Sequence, residues 1–276
     1  MKKLLLTIFT VIIGLYVNAQ FAYRSVTSGN WNAIATWERY NPVNDTWSAA
    51  TTGQIPGAQD SVFIQASQTV TLTQNQSCLN LAMQNSSGIK LALNDFTLEV
   101  GGTIGAFTNT VATFAFPLTY SATINSTINT GTNVSGAIRF IGATRNIFNS
   151  GQWGANPPSW NCEFALNNGA VGTLPGNFKA GRITVVSGTV IANNDFRPDG
   201  GAANTGDIII NSGATLRVSG SIARTGTATN TIDSIDISGT LEMGGTSSSQ
   251  NLSTVNLRVN NGGKFVKINN NALITT

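Results

Sequence analysis

The sequence contains no histidine, and that absence excludes several kinds of chemistry. A Ser-His-Asp triad, a Cys-His nucleophile pair, a zinc site with two histidines on a helix and a histidine pH switch all need an imidazole ring. Charged residues are also scarce, at 10% of the 276 residues, whereas about 25% is usual for a globular protein. Few carboxylates are therefore available for acid–base catalysis or for metal binding.

The residues that take the place of charged ones favour strands and turns. Thr, Asn and Ser are abundant, Gly accounts for 29 residues, and hydrophobic residues make up 41% of the chain. This hydrophobic fraction is too high for a disordered chain, and the shortage of helix formers argues against a helical fold. The composition therefore predicts an all-β protein that is rich in turns.

The N-terminal segment, up to Ala19, has the three parts of a secretory signal peptide. Two lysines follow the initial Met, residues 4–16 form an apolar run, and Val17-Asn18-Ala19 provides a small-residue cleavage site. Cleavage there would make Gln20 the new N-terminus. The apolar run is shorter than the roughly 20 residues that a transmembrane helix needs, and no later stretch is apolar enough to span a bilayer. We therefore predict a signal peptide over residues 1–19 and a secreted protein with no membrane span after cleavage.

The charge balance of the mature chain argues against nucleic acid as a partner. Without the two lysines of the signal peptide, the chain has 13 basic and 12 acidic residues. No cluster of Lys and Arg is left that would bind a phosphate backbone or an anionic membrane surface.

A glycine recurs at nearly constant spacing in the last third of the chain. The series is Gly188, Gly213, Gly239 and Gly262, and its members follow one another at intervals of about 25 positions. Each of them lies between two short runs of alternating apolar residues, which is the pattern of two strands joined at a Ser-Gly or Asn-Gly turn. A fixed period of this length indicates a repeat architecture, and the lack of a helical period argues against helical and leucine-rich solenoids.

The constant apolar phase of the repeats favours a β-solenoid over a meander of hairpins. Because each coil of a solenoid lays its strands on the previous coil, Val, Ile and Leu must face inward at the same place in every repeat. Thr, Ser and Asn then stack on the outside, and Gly occupies the tight corners. We predict an all-β parallel β-helix with coils of about 25 residues over residues 57–276, after an N-terminal cap over residues 20–56.

Aromatic residues are concentrated in the predicted cap, at Trp31, Trp37, Tyr40 and Trp47. The first coil of a solenoid has an open apolar end, and we expect these rings to cover it. The alternative is an exposed platform on which sugar rings stack.

The two cysteines, Cys78 and Cys162, are separated by three to four coils of the predicted length. Even in one column they would be more than about 14 Å apart, whereas a disulfide needs Cα atoms within about 7 Å. We therefore interpret them as small buried apolar residues that are not bridged.

Several motifs after the signal peptide are shared with a known group of exported proteins. They are Ser28-Gly29-Asn30-Trp31, Ala35-Thr36-Trp37, Ile55-Pro56-Gly57, Asp60-Ser61-Val62-Phe63-Ile64, Thr69-Val70-Thr71-Leu72 and Cys78-Leu79-Asn80-Leu81, followed by a glycine-rich strand ladder. With these motifs the chain resembles the N-terminal region of the large right-handed β-helix surface proteins of Bacteroidetes-type bacteria, which leave the cell by type IX secretion. The resemblance implies a right-handed parallel β-helix, a secreted or outer cell-surface location, and an adhesin-like or filamentous role.

Proteins of this group normally finish with a compact C-terminal sorting domain. This chain instead ends at Thr276, inside a segment with the repeat pattern. An open solenoid end would expose unpaired strand edges, so we expect the sequence to be a fragment of a longer protein.

Two tryptophans outside the cap are candidates for ligand binding. Trp153 and Trp160 flank Pro157 and Pro158 in a segment that we expect to be a protruding loop. Their rings would suit stacking against a polysaccharide.

The densest polar cluster contains Asp195, Arg197 and Asp199. Asp207 follows, and Asp233 and Asp236 lie about one coil later. The simplest interpretation is an Asx-rich turn with a solvated ion pair. One alternative is a calcium site made by Asp195, Asp199, Asp207, Asp233 and Asp236, since stacked carboxylates could supply the 6–8 oxygen ligands that calcium prefers.

A second alternative for this cluster is catalysis on polysaccharides. Asp195, Arg197 and Asp199 would then serve as the carboxylates and the Arg of a lyase or a glycoside hydrolase. The sequence favours a different function, that of a structural or adhesin-like surface module that binds glycans or other cell-surface components. In that interpretation the chain has no catalytic residues and needs no cofactor.

Overall fold

The computed structural model describes residues 21–84, 90–107, 127–129, 136–146, 161–174, 178–193, 196–198, 206–222, 232–244, 250–267 and 272–275. Strands make up almost all of the regular structure in these ranges, and the helical element among them is one 3₁₀ turn over Ile34–Thr36. No helix in these ranges is long and apolar enough to cross a membrane. The predicted signal peptide lies outside the described residues.

The strands are numbered β1 to β27 in chain order. The first fourteen are β1 (Ala22–Ser25), β2 (Gly29–Asn30), β3 (Trp37–Asn41), β4 (Thr46–Ala49), β5 (Ser61–Ile64), β6 (Thr69–Thr71), β7 (Gln76–Cys78), β8 (Asn80–Gln84), β9 (Lys90–Ala92), β10 (Thr97–Val100), β11 (Ile104–Phe107), β12 (Thr127–Asn129), β13 (Ala137–Gly142) and β14 (Arg145–Asn146). The others are β15 (Asn161–Leu166), β16 (Val171–Leu174), β17 (Phe178–Ala180), β18 (Arg182–Ser187), β19 (Thr189–Ala192), β20 (Phe196–Pro198), β21 (Asp207–Ile210), β22 (Thr215–Val218), β23 (Ile232–Ile237), β24 (Thr240–Met243), β25 (Gln250–Val259), β26 (Lys264–Lys267) and β27 (Ala272–Thr275).

Four sheets and one short strand pair are built from these strands. The long sheet has nine strands in the order β27-β25-β23-β21-β18-β15-β13-β10-β7, and the second sheet has six in the order β14-β16-β19-β22-β24-β26. The N-terminal sheet has the order β11-β8-β5-β1-β3-β4, a four-stranded sheet has the order β12-β9-β6-β2, and β17 pairs with β20. Consecutive strands of the chain thus mostly belong to different sheets, and each pairs with its equivalent one coil away.

The register of the long sheet gives the length of one coil. Pairing is parallel, and each residue of the following series faces the next one: Ala137, Asn161, Arg182, Asp207, Ser234, Asn256. Hydrogen-bonded partners on adjacent coils show the interval directly, since Arg139 and Glu163 are 24 positions apart and Arg182 and Asp207 are 25 positions apart. This confirms the predicted parallel β-solenoid and its repeat length.

Inward-facing side chains form columns that run along the solenoid, because alternate residues of a strand point to the same face. One column of the long sheet holds Leu98, Ile138, Cys162, Ile183, Ile208 and Ile235, all of them buried. The neighbouring inward column holds Cys78, Val100, Phe140, Phe164, Val185, Ile210 and Ile237, which are also buried. These columns belong to one core cluster that extends from Tyr23 to Leu252.

The two cysteines occupy different inward columns, on β7 and β15, with β10 and β13 between them. Both are buried and free, which confirms that they do not bridge. Burial raises the pKa of both thiols, and the nearby carboxylates of Asp60 and Glu163 raise the pKa of Cys78 and of Cys162 respectively. Both side chains therefore stay protonated and act as apolar core residues.

The recurrent glycines lie at the corners between the long sheet and the second sheet, as predicted. Gly188, Gly213 and Gly262 have φ values of 78°, 79° and 83°, a left-handed conformation that favours glycine. Gly239 is needed for space instead, because a Cβ atom there would collide with the carbonyl oxygens of Asn211 and Ala214 in the preceding coil.

The N-terminal segment contributes two of its four aromatic residues to the main core. Trp31 and Trp37 are fully buried in the main core cluster, with ring centroids 5.4 Å apart in an edge-to-face arrangement. Their indole nitrogens donate to the carbonyl oxygens of Pro56 and Trp31, respectively. Both rings are thus part of the core, and the capping role of residues 20–56 stays a prediction.

The other two aromatic residues lie elsewhere. Tyr40 on β3 and Trp47 on β4 face each other across an antiparallel pair and pack against a separate small cluster of Ala22, Phe63 and Ala82. The four rings therefore do not lie together, since Tyr40 and Trp47 pack on a different cluster from Trp31 and Trp37. The physical reason is that β3 and β4 continue the N-terminal sheet as antiparallel strands and so place their rings over its second cluster.

Candidate functional site

Three outward charged side chains of the long sheet stack in one column. Glu99, Arg139 and Glu163 occupy paired positions on β10, β13 and β15. Arg139 donates from Nε to Glu163 Oε2 at 2.7 Å and from Nη1 to Glu99 Oε1 at 3.4 Å. All three side chains are partly exposed. Arg139 thus links three successive strands, and its hydrogen bond to Glu163 raises the pKa of the guanidinium.

A depression of about 370 Å³ lies beside this column. It is lined by Asn75, Gln76, Ser77, Thr97, Glu99 and Arg139. Ser77 pairs with Glu99 in the outward column, and its short side chain leaves room beside the two long charged ones. The wall between Asn75 and Thr97 is fixed by a hydrogen bond of 2.9 Å from the Thr97 N–H to Asn75 Oδ1. The lining thus offers amide, hydroxyl, carboxylate and guanidinium groups within one space.

Gln76 departs from the apolar pattern of the fold. It pairs with Leu98, at the start of the inward column that continues through Ile138. The side-chain nitrogen of Gln76 is buried, and it has no hydrogen-bond partner among the described residues. Most buried polar groups in proteins are hydrogen-bonded, so an exception of this kind needs an explanation.

A second depression, also of about 370 Å³, lies at the N-terminal sheet. It is lined by Phe21, Arg39, Tyr40, Asn41, Pro42, Val43, Ser48 and Gln54. The guanidinium carbon of Arg39 lies 3.4 Å from the centre of the Phe21 ring, and the Tyr40 hydroxyl donates to Asp45 at 2.7 Å. The aromatic and charged side chains of this second depression therefore already contact partners within the chain.

Outward carboxylates farther along the solenoid are also paired with arginines one coil away. The pairs are Arg182 with Asp207 at 3.2 Å, Arg217 with Glu242 at 2.5 Å and Arg258 with Asp236 at 3.7 Å. Asp207 additionally accepts a hydrogen bond of 2.8 Å from the Ser234 hydroxyl. The carboxylates at these positions therefore connect coils to one another.

The residues considered as calcium ligands are only partly brought together. Asp207 and Asp236 lie on adjacent strands, but Asp207 faces Ser234, and Asp236 faces Ile209. Asp233 belongs to the same strand as Asp236. The side chain of Asp233 is not among those that the structure describes. No group of three or more His, Cys, Asp or Glu side chains among the described residues could hold a metal ion. A calcium site that includes Asp195 and Asp199 stays a prediction, because both lie outside the described residues.

The other predicted site residues are largely outside the described ranges. Trp153, Trp160, Asp195 and Asp199 all fall there. Arg197 is described as part of β20, where it pairs with Lys179 of β17. Binding at the two tryptophans and catalysis by Asp195, Arg197 and Asp199 both stay predictions.

The depression beside Arg139 was not among the sites that the sequence predicts. Glu99 and Arg139 are 40 positions apart in the sequence, so their contact depends on the register of β10 and β13. No local feature of the sequence marks this place, because Ser77, Glu99 and Arg139 each fit the ordinary pattern of an outward polar position on a strand.

Comparisons with protein families, with curated proteins and with solved structures find no match to this chain. Its function must therefore be argued from its own geometry and chemistry.

Proposed function

We propose that the chain is a structural, adhesin-like module: a stiff β-solenoid at the outer cell surface or secreted from the cell, which binds glycans. The observation that carries the proposal is the use of carboxylates on the outward faces of the long sheet and the second sheet. Each of the following is ion-paired with an arginine of an adjacent strand: Glu99, Glu163, Asp207, Asp236 and Glu242. Carboxylates in a glycosidase must instead converge on one bond of the substrate.

The core supports a mechanical role. One cluster of buried residues extends from Tyr23 to Leu252, so each coil supplies the apolar surface that its neighbours need. In a solenoid of this type stability is roughly a sum of coil terms and interface terms, and stiffness follows from the interfaces. Nine strands at about 4.8 Å spacing make the long sheet roughly 40 Å long. Such a body suits a spacer or a stalk that presents a binding surface.

The proposed location rests on the predicted signal peptide and on the resemblance to exported surface β-helices. A protein in that location meets polysaccharides and the surfaces of other cells. The polar depression beside Arg139 is one observation in favour of the glycan-binding part of the proposal, because its lining offers groups that can hydrogen-bond to sugar hydroxyls.

The experiment is a retention assay on the purified protein with plant and algal polysaccharides, with and without calcium, in which new reducing ends are measured in the same samples. We expect retention of at least one polysaccharide and no new reducing ends. The control is the Asp195→Ala variant, which we expect to behave as the parent protein. Lack of any retention would overturn the glycan-binding role. New ends that disappear in Asp195→Ala would replace it with the alternative of a polysaccharide-acting enzyme.

A further inference from the structure

The second depression is built mainly on one face of the N-terminal sheet. The register of β1, β3 and β4, together with the alternation of side chains along a strand, places four of its lining residues on that face: Phe21, Arg39, Asn41 and Ser48. Gln54, from the segment after β4, lines it as well. These side chains therefore share one space of about 370 Å³, which is within the usual range of small-molecule pockets.

Arg39 is the charged residue of this lining, and it has no carboxylate partner among the described residues. The other described arginine side chains are all ion-paired, namely Arg24, Arg139, Arg182, Arg217 and Arg258. Arg39 instead lies over Phe21, with its guanidinium carbon 3.4 Å from the centre of the ring. Stacking on an aromatic ring fixes a guanidinium in place while its planar set of N–H donors stays available for a carboxylate or a sulfate.

The two amide side chains of the lining also present donors. Asn41 Oδ1 accepts from the Val43 N–H at 2.9 Å, and Gln54 Oε1 accepts from the Thr51 N–H at 3.0 Å. Because both amide oxygens are used in this way, the amide nitrogens are the groups left for a ligand, and a nitrogen of this kind can only donate. The Ser48 hydroxyl adds a further donor on β4. The second depression thus collects donors that call for acceptors from outside the chain.

The described carboxylates near this depression are engaged elsewhere, and none of them lines it. Glu38 is ion-paired with Arg24 at 2.6 Å, and Asp45 accepts from a tyrosine hydroxyl. Asp60 is buried, accepts from two backbone N–H groups and forms no ion pair with Arg39. The depression therefore has a positive group and several donors, and the missing element is a negative group.

We propose that the second depression binds an acidic saccharide through its negative group, a uronate carboxylate or a sulfate ester. The guanidinium of Arg39 donates paired hydrogen bonds to two oxygens of that group. The amide nitrogens of Asn41 and Gln54 and the hydroxyl of Ser48 donate to oxygens of the sugar. A free anion is far smaller than the depression, so the attached ring is needed to fill it. The inference rests on the proposed glycan-binding function and adds to it a place and a ligand class.

The test is saturation-transfer NMR followed by titration, on the purified protein at low salt, where charge interactions are least screened. The acidic probes are glucuronate, galacturonate and a sulfated galactose, the neutral probes are glucose and galactose, and acetate and inorganic sulfate are added as competitors. We expect at least one acidic sugar to bind at least tenfold more tightly than its neutral parent. Whether uronates or the sulfated sugar bind identifies the negative group.

Three results would overturn the proposal. Neutral sugars that bind as tightly as the acidic ones would show that the ligand class is wrong. Acetate or sulfate that displaces the acidic sugar as effectively as the sugar itself does would show a site for simple anions instead of saccharides. Binding of no acidic sugar would overturn the proposal as a whole.

A pair of variants at Ser48 places the site. Ser48→Glu puts a carboxylate directly opposite Arg39 on the paired strand, where opposite charges attract each other. Because the chain then supplies the negative group itself, we expect an unchanged or higher melting temperature together with at least tenfold weaker binding of the acidic sugar. Ser48→Gln adds a side chain of the same size without the charge, so its binding should stay within threefold of the parent's. Equal binding by the two variants would contradict the assignment.

A second pair of variants tests the guanidinium. Arg39→Met keeps much of the aliphatic chain and removes the charge, and we expect at least tenfold weaker binding of the acidic sugar. The matched control is Arg258→Met, since Arg258 is 64% exposed on β25 and lies outside the depression. Its binding should equal that of the parent. Losses of the same size in both variants would show that Arg39 has no special part in binding.

Failure of this inference can be told apart from failure of the proposed function. If the parent protein retains polysaccharides and Ser48→Glu retains them equally well, the second depression is not the site and the adhesive role stands. If the parent retains only neutral polysaccharides, the ligand class is wrong and the adhesive role again stands. If the parent retains no polysaccharide and binds no acidic sugar, both proposals fail together.

Discussion

Single residues at the corners decide how closely successive coils approach. Gly213 has a φ of 79° and open space where a Cβ atom would lie. Gly239 lies under the turn of the preceding coil, where a Cβ atom would collide with two backbone carbonyl oxygens, those of Asn211 and Ala214. The two glycines thus occupy equivalent corners for different physical reasons, one for backbone conformation and the other for space.

The two alanine variants of these glycines should differ in stability. We expect Gly213→Ala to lower the free energy of unfolding by about 1 kcal/mol, which is the cost of a left-handed conformation with a Cβ atom. Gly239→Ala should cost about 2–3 kcal/mol, because backbone atoms must move to admit the methyl group. Urea unfolding followed by circular dichroism gives both values. Equal losses in the two variants would contradict the distinction.

At the scale of the strand, outward ion pairs connect one element to the next. Arg139 on β13 contacts carboxylates on both neighbouring strands, whereas Arg258 on β25 contacts only Asp236 among the described residues, at 3.7 Å. Partly exposed ion pairs contribute little individually, about 0–1 kcal/mol. An arginine between two carboxylates also prevents their mutual repulsion, so its removal costs more than the loss of one pair.

Replacement of these two arginines by methionine, which keeps most of the aliphatic chain, should separate the effects. We expect Arg139→Met to lower the free energy of unfolding by about 1 kcal/mol at low salt, and Arg258→Met to change it by less than about 0.3 kcal/mol. The loss in Arg139→Met should shrink at high salt, because exposed charges are then screened. Urea titrations at two salt concentrations measure this. A larger loss in Arg258→Met than in Arg139→Met would refute the bridging role.

The whole molecule depends on a core that has no break between coils in the described residues. Ile208 on β21 is fully buried between Ile183 of the preceding coil and Ile235 of the following one. In a solenoid each coil is stabilised by its two neighbours, so a cavity in the middle weakens both interfaces.

Ile208→Ala should therefore destabilise more than its own coil. We expect a loss of about 2–5 kcal/mol in the free energy of unfolding, as for other isoleucines truncated in a core. Hydrogen exchange should accelerate on β18 and β23 as well as on β21. The control is Val266→Ala, since Val266 is 39% exposed on β26 and its truncation removes little buried surface. Faster exchange confined to β21 would show that the coils do not support one another.

Most of the fold could be predicted from the sequence, whereas the depression beside Arg139 could not. The glycine series and the alternating apolar residues around Ile183 and Ile208 predicted the coil length and which side chains face inward. Tyr40 and Trp47 were assigned to the open end with Trp31 and Trp37, because composition does not reveal that two antiparallel strands extend the N-terminal sheet. The depression was missed because the residues around it belong to three separate strands.

The sequence by itself determined the class of fold and the repeat, because inward apolar residues and corner glycines are local features that recur at a fixed spacing. The tertiary structure decided which outward side chains meet. Glu99, Arg139 and Glu163 are far apart along the chain, and only the register of their strands makes them neighbours. Likewise, only the register shows that Gln76, whose buried side-chain nitrogen has no partner among the described residues, lies in line with the apolar Leu98 and Ile138. The reason is that a parallel β-solenoid places residues one coil apart in contact, and the length of each connecting segment sets which residues those are.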